Sequence, residues 1–334
     1  MASAGKSYCI SFQNIQAALS TVRPFVKKTP VMTCSHLNQL ANRNLFFKCE
    51  NLQKTGSFKF RGACNAVSKV VASNQDGPDR ELSVVTHSSG NHAQAVSLAA
   101  QVQGVTAHIV MPSNSPAVKK EAVRSYGGLI VECEPTEQSR VETADQVAEK
   151  TGATMVHPNQ SPEVMAGQGT MVFEILEQVE RVDAIVVPVG GGGMLSGISV
   201  AAKELCPDAK IYAAEPKNAD DCAVSMARGE RTPLHAPPVT MCDALKTSIG
   251  PHTWPIIRDH VDDVITVTEE EIKAAMRLVW ERMKLVIEPS SAVGVAAVMT
   301  DKFQKLPANA HQNVVVILCG GNVDLEHLPW MSQN

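Results

Sequence analysis

Short apolar, β-branched runs alternate with longer stretches of helical period along most of the chain. The runs LFFKCE (45–50), LSVVTH (82–87), TAHIVM (106–111), GLIVEC (128–133), AIVVPV (184–189), KIYAAE (210–215), VITVT (264–268) and VVVILC (314–319) predict strands. Helices are predicted between them at 93–102, 116–126, 138–151, 166–179, 194–205, 269–284 and 291–303. Most strand runs are apolar almost throughout rather than at every second residue. Such strands are buried on both faces, so the pattern predicts an α/β fold with parallel sheets under helices. The strand–helix units at 83–158 form a compact group, which suggests a small domain set into a large one made of 1–82 and 159–334. Residues 229–242, GERTPLHAPPVTMC, are the most loop-like piece.

A length of 334 residues allows two domains or one large α/β domain. Charged residues are 19% of the chain and the net charge is -4, with both signs mixed, so no basic stripe points to nucleic acid. Ala184–Ala202 carries no charge over nineteen residues, near the length of a membrane span, but its proline and five glycines favour strand, loop and helix. Nine cysteines, an odd number with no CxxC pair, fit a reduced intracellular chain, and MASAGKSYCISF lacks the apolar core of a signal peptide. A cytoplasmic location is therefore expected, where the NQS acceptor at 159–161 would go unused. The histidines have no paired spacing that suggests a metal, and His157 reads as structural.

Three predicted strands end in unusual turns, at the ends where open α/β sheets bind ligands. THSSGNHAQA (86–95) places hydroxyls, a glycine and an amide ahead of a helix, suited to an anion such as a carboxylate or to simple capping by Ser88, Ser89 or Asn91. PVGGGGML (188–195) leaves the N–H groups of Gly190, Gly191, Gly192 and Gly193 unshielded before a helix, as a phosphate cradle or a close-packed turn. LCGGNVD (318–324) puts Cys319 at a strand end, as a ligand contact or a buried structural thiol. A dinucleotide fingerprint would need glycine where Leu195 or Ser196 stands. Glu215 nonetheless sits where a ribose-binding acid would, so an NAD-dependent oxidoreductase is a rival reading.

In TGSFKFRG (55–62), Lys59 lies between Phe58 and Phe60. Its stem can snorkel along apolar surface, or its amine can be buried to serve as a nucleophile or base. An amine, a phosphate cradle, an anion turn and a weak hydrogen-bonding group at a strand end together match what pyridoxal phosphate requires.

SFKFRGA, SSGNH, VGGGGMLSG, AAEP and CGGNVD occur in the order found in fold-type II pyridoxal-phosphate enzymes, the group of threonine and serine dehydratases. The chain resembles this family, and within it the animal branch that racemises serine. NLFFKCE, QKTGSFK, MVHPNQ, EPKNADDC, TWPIIRD and VWERMKLVIEP extend the likeness over nearly the whole length. The resemblance implies a tryptophan synthase β-like fold, with two open, mostly parallel sheets. It implies that Lys59 bonds covalently to the cofactor, that Phe58 flanks it and that Asn91 contacts the ring hydroxyl. Gly190 to Gly193 and Met194 would hold the phosphate, and Cys319 would face the ring nitrogen. Ser88, Ser89, Asn91 and His92 would line the substrate carboxylate site, with Arg140 and Thr247 reaching in on closure. Ser89 would be the second catalytic group, opposite Lys59. Removal of the α-proton from one face and its return to the other racemises serine, and loss of the β-hydroxyl instead leads to pyruvate and ammonia.

EPKNADD offers Glu215, the carbonyl of Ala219, and Asp221, which is an acidic surface loop or a hard-cation site. Family members bind a divalent ion there, so the resemblance favours Mg2+, with Ca2+ or Mn2+ as substitutes. It also implies a homodimer with ATP as an allosteric effector, near Lys54, Tyr126, Lys284 and Asn322. Three positions depart from the racemising pattern, and a fourth, Ser161, bears against aspartate as substrate. Cys319 replaces serine, as in some mammalian-type serine dehydratases. Ala244 and Ala93 stand where glycine is expected, and Ser161 alone represents a serine-rich stretch found in aspartate-racemising members. A serine or threonine dehydratase with little racemisation is therefore the alternative within the family, although Ser89 favours racemisation.

Overall fold

The computed structural model describes residues 8–73 and 81–331. Of the expected large domain, 1–7, 74–80 and 332–334 lie outside the described residues. The elements run α1 (Phe12–Val22), β1 (Val31–Met32), α2 (Ser35–Ala41), β2 (Asn44–Cys49), α3 (Lys59–Ala72), β3 (Ser83–His87), α4 (Asn91–Gln101) and β4 (Thr106–Pro112). They continue with α5 (Ala117–Ser125), β5 (Leu129–Cys133), α6 (Glu137–Thr151), β6 (Thr154–Met155), α7 (Pro162–Gly169), α8 (Met171–Gln178), β7 (Ala184–Pro188) and α9 (Gly193–Leu205). The last are β8 (Lys210–Pro216), α10 (Asp221–Arg228), α11 (Trp254–His260), β9 (Asp263–Val267), α12 (Glu269–Met283), α13 (Pro289–Met299), α14 (Asp301–Gln304) and β10 (Asn313–Leu318).

These strands form two sheets. The larger has six strands in the order β1-β2-β10-β7-β8-β9, parallel except for β1, and the smaller has four parallel strands in the order β5-β4-β3-β6. The expected α/β class with mostly parallel sheets is what the chain adopts. Strand β10 shows why the apolar runs are continuous. Val315 and Ile317 pack into one core with Ile185, Val187 and Ile211, while Val314, Val316 and Leu318 pack on the opposite side with Ala184 and Val186. Strand β5 differs because it is an edge: Leu129 is 53% exposed.

Two predicted helices are each broken in two. The helix expected at 166–179 splits into α7 and α8 at Thr170, and the one at 291–303 splits at Thr300, whose extended backbone caps α14. Close packing accounts for the first break. A Cβ on Gly167 would lie 2.6 Å from Arg61 O, and one on Gly169 would lie 2.6 Å from Gly197 O, so α7 is pressed between α3 and α9. Helix α3 has no counterpart among the predicted helices. Every residue from Phe60 to Val67 is buried while Lys69 and Val71 are exposed, and Gly62, Cys64 and Asn65 are weak helix formers, so local preference does not mark the helix.

The start of α3 is held by a cluster of buried charges. Arg61, fully buried, binds Glu50 through Nε and Nη2 at 2.8 Å and Glu174 through Nη1 and Nη2 at 2.7 and 2.8 Å. Lys48 adds a 2.6 Å bond to Glu174 and a 2.7 Å bond to Thr29 O. Two cations and two anions balance, and the cluster ties β2, α3 and α8 together. Removing one member leaves an unpaired buried charge. Arg61→Met is therefore expected to lower the unfolding free energy by about 3–5 kcal/mol, measured by urea denaturation. A loss below about 1 kcal/mol, the scale of an exposed pair, would show that the cluster does not hold the helix.

Candidate active site

The carboxyl ends of β7 and β10 meet beside the carboxyl end of β3 from the smaller sheet, and the three unusual turns follow these ends. Phe58 and Phe60 diverge into different cores. Phe58 joins the core that contains Met194 and Cys319, and Phe60 joins the one between α3 and α4. Lys59 is thereby held between the two sheets as the first residue of α3, next to the positive end of the helix dipole. It keeps some contact with the cleft, yet burial of the amine pulls its pKa down to about 8, against the opposing pull of Cys319 and Glu288. Nζ donates to Pro158 O at 3.0 Å and lies 5.2 Å from the centre of the Phe58 ring. The buried amine, not the snorkelling one, is what the fold produces.

The glycine turn starts α9 with Gly192 at φ +84° and no capping side chain. Close packing does demand these glycines. An added Cβ would lie 1.8 Å from Asn159 Nδ2 at Gly191, 2.7 Å from Ile257 at Gly192, and 3.0 Å from backbone atoms of Ala244 and Asn159 at Gly190 and Gly193. Packing does not explain why the helix start lacks a capping side chain, which suits a bound anion. Met194 is buried on the first turn of α9. Helix α4 likewise has Gly90 as its N-cap and no side-chain cap, so neither Ser88, Ser89 nor Asn91 has the simple capping role. Ser88 Oγ accepts from Gly90 N at 3.4 Å, and Ser88 and Ser89 are half-buried at the cleft. His92 turns inward, with Nε2 on Val156 O at 2.9 Å and Nδ1 buried without a hydrogen-bond partner. Arg140 lies half-buried on α6, and Thr247 is exposed in the loop before α11.

Cys319 is 2% exposed, and burial pushes its thiol up to about 12, so it is neutral. Its Sγ lies 3.3 Å from Ser291 Oγ, a hydroxyl that also binds Gly320 N and O at 2.7 and 2.6 Å. Ala244 sits in a short 3-10 turn without a positive φ, so alanine is accommodated where glycine was expected. Glu215 and Asp221 are 1% and 4% exposed and so do not form an acidic surface loop. Glu215 accepts from Ala223 N at 2.7 Å and Cys222 N at 3.3 Å, and Asp221 from Ile249 N at 2.8 Å. Burial raises both carboxyls, Asp221 to about 6. Ala219 is buried between them in sequence, and no group of three or more His, Cys, Asp or Glu residues suited to a metal occurs among the described residues.

Asn322 donates through Nδ2 to Thr55 O and to Asn91 Oδ1, both at 2.8 Å. It thus joins the neighbour of Lys54 to the start of α4, while Lys54 lies over the Phe60 ring at 5.5 Å. Tyr126 and Lys284 stand at the C-terminal ends of α5 and α12.

Sequence reasoning missed Glu288, the most consequential carboxylate in the cleft. It is 5% exposed, accepts from Asn91 Nδ2 at 3.0 and 3.1 Å, and accepts from Asn322 N at 3.2 Å. The IEPSS stretch signals a helix cap, but the side chain makes no cap and reaches across to α4 instead. Ser291, Asn159 and the Pro158 carbonyl were missed because each acts through a contact distant in sequence.

The family model described as pyridoxal-phosphate dependent enzyme matches residues 22–320. Serine racemase of Homo sapiens is 55% identical, over 98% of this chain and 95% of its own, and that of Bos taurus is 54% identical over 98% and 97%. The solved structure of maize serine racemase is 43% identical with a TM-score of 0.91, covering 96% of this chain and 95% of that one. The site thus has the makings of a cofactor-dependent amino-acid enzyme, and the chain belongs to the pyridoxal-phosphate dependent enzyme family. The rival oxidoreductase reading falls with this result, and Glu215 is in any case bonded to backbone N–H groups on the first turn of α10. The residues fit the cofactor, since an uncapped glycine turn, a buried amine with a lowered pKa and a neutral thiol lie around one cleft.

Burial lifts the Glu288 carboxyl from 4.5 to about 7, despite the bonds from Asn91 and Asn322. The folded state therefore binds this proton more tightly, and the stability it contributes is lost as pH rises from about 4.5 through about 7. Relative to Glu288→Gln, the wild type is expected to lose roughly 1.4 kcal/mol per pH unit across that window, measured by denaturation at several pH values. Parallel curves would put the Glu288 pKa at its ordinary value.

Proposed function

We propose that this protein interconverts L- and D-serine with pyridoxal phosphate and also eliminates water from serine, giving pyruvate and ammonia. The observation that carries this reading is the Lys59 amine, brought to a pKa of about 8 beside an uncapped glycine turn. The full-length likeness to serine racemases supports serine as substrate. When bound, the cofactor supplies an aldehyde for an amine and a ring that withdraws the charge left at Cα. The N–H groups of Gly190 to Gly193 and Met194 hold its phosphate, Phe58 lies beside it, and Asn91 and Cys319 hold its ring. A neutral thiol is a weak partner for a ring nitrogen. That feature favours elimination, and a dehydratase with little racemisation is the second reading.

Ser88, Ser89, Asn91 and His92 orient the substrate carboxylate. Lys59 takes or returns the α-proton on one face, and Ser89 does so on the other. A unit built from 83–158 closes over the cleft and brings in Arg140, with Thr247 approaching from the other side. The same reading gives Mg2+, or Ca2+ or Mn2+, a place at Glu215, Asp221 and the Ala219 carbonyl, where two buried carboxyls with raised pKa values would gain from a cation. It makes the protein a cytoplasmic homodimer with ATP as an effector near Lys54, Tyr126, Lys284 and Asn322. No helix among the described residues is long and apolar enough to cross a membrane.

Chiral chromatography and a pyruvate assay on L-serine test the reading directly. D-serine together with pyruvate is expected, and pyruvate alone would favour the dehydratase. Lys59→Ala should abolish the yellow, borohydride-sensitive colour of the bound cofactor, and an unchanged spectrum would remove Lys59 from its role. Ser89→Ala should slow racemisation by about 10²–10⁴-fold while sparing elimination of the serine enantiomer whose α-proton faces Lys59. Equal loss of both activities would make Ser89 a binding residue only.

A further inference from the structure

The turn after β6 lies where the two sheets meet. Its first residue hydrogen-bonds its own backbone. His157 Nδ1 accepts from Gln160 N at 3.1 Å and from Asn159 N at 3.3 Å. A nitrogen that accepts two N–H groups carries no proton, so the imidazole is neutral and its hydrogen is on Nε2. Burial, with His87, Lys59 and His252 nearby, pushes its pKa down to about 4, in keeping with that form. The ring meets His87 edge-on at 5.2 Å between centres.

The three residues that follow each touch the site. The Pro158 carbonyl holds Lys59 Nζ at 3.0 Å. The Asn159 side chain and Cα fill the space where Cβ atoms on Gly191 and Gly193 would lie, which shapes the glycine turn. Gln160 accepts from His252 N through Oε1 at 3.0 Å, and its backbone O lies 2.8 Å from His252 Nδ1, fixing the far side of the turn. His157 touches neither the lysine nor the glycines, yet its Nδ1 anchors the segment that touches both.

We propose that His157 is a positioning residue, whose Nδ1 pins the 158–160 turn and so sets both the carbonyl facing Lys59 and the wedge that shapes the phosphate cradle. The role rests on Lys59 being the cofactor lysine.

Two variants separate this role from simple packing. His157→Phe keeps a ring and removes the acceptor, and His157→Asn keeps an acceptor near the place of Nδ1. Binding to the cofactor-free protein is measured for pyridoxal phosphate and for pyridoxamine phosphate, which has the phosphate but no aldehyde to bond with lysine. For His157→Phe both dissociation constants are expected to rise about tenfold, the scale of one lost hydrogen bond, and kcat should fall more than the KM for serine rises. His157→Asn should stay within about twofold of wild type, well under the effect of a lost hydrogen bond. Wild-type affinity for both ligands in His157→Phe, even with a lowered melting temperature, would overturn the proposal, as would equal weakening by Asn and Phe. Should His157→Phe fail to fold, nitrogen NMR of the wild-type imidazole decides, because a proton on Nδ1 at pH 7 would overturn the proposal as well. Lys59→Ala serves as the control for the lysine assignment. Unaltered colour and pyridoxal phosphate affinity in that variant would refute the assignment, while the pyridoxamine phosphate results would still test the turn.

Discussion

The arrangement of the whole site depends on how firmly the first turn of α3 is held. A lysine at a helix start has four carbon atoms of freedom, and only its surroundings can turn it into a fixed amine. Here Arg61 supplies the constraint, since one buried guanidinium bridges two carboxylates, from the turn just after β2 and from α8. Phe58 and Phe60 extend it by entering cores on either side. Such a cluster contributes little net stability compared with an apolar core, but its geometry leaves few alternatives. That trade suits a residue whose position matters more than its contribution to folding.

The electrostatics of the cleft follow from the same enclosure. Burial lowers the Lys59 pKa and raises those of Cys319 and Glu288, so each group moves toward its neutral form. The starts of α3, α4 and α9 point positive dipole ends toward this region, and all three lack a side-chain cap, with Phe58 in the capping position of α3 and glycine in those of α4 and α9. An anionic ligand is favoured there by backbone alone. Glu288 is the counterweight, tied to Asn91 and Asn322 and so linked to both sides of the cleft.

Glycine and asparagine meet at the seam between the sheets. Asn159 occupies the volume that side chains on Gly191 and Gly193 would need, and Gly320 leaves room for the Glu288 carboxylate, 2.9 Å from where its Cβ would stand. The glycine turn is thus both an anion-binding surface and a packing surface. The two explanations that compete when the sequence is read alone are both true of the same residues.

All the strands but the two-residue β1 and β6, most of the helices and the identity of the chemistry were legible in the chain itself. Buried parallel strands leave continuous apolar runs, and glycine-rich turns at their ends are local signals that survive without a structure. The motifs around Lys59, Ser88–His92, Gly190–Gly193 and Cys319 could be recognised because each is contiguous. What only the tertiary structure decided are the relations between distant segments. Helix α3 was missed because Gly62, Cys64 and Asn65 weaken its local helix preference and buried partners hold its start, and the breaks at Thr170 and Thr300 arise from helix contacts and a cap rather than from local preference. Glu288 and Pro158 enter the site across separations of about a hundred residues or more, from Asn91 to Glu288 and from Lys59 to Pro158, and Ser291 reaches Cys319 across 28. A sequence records which residues are available. Which of them face one another, and which charges are stripped of water, depends on packing between segments that no local pattern encodes.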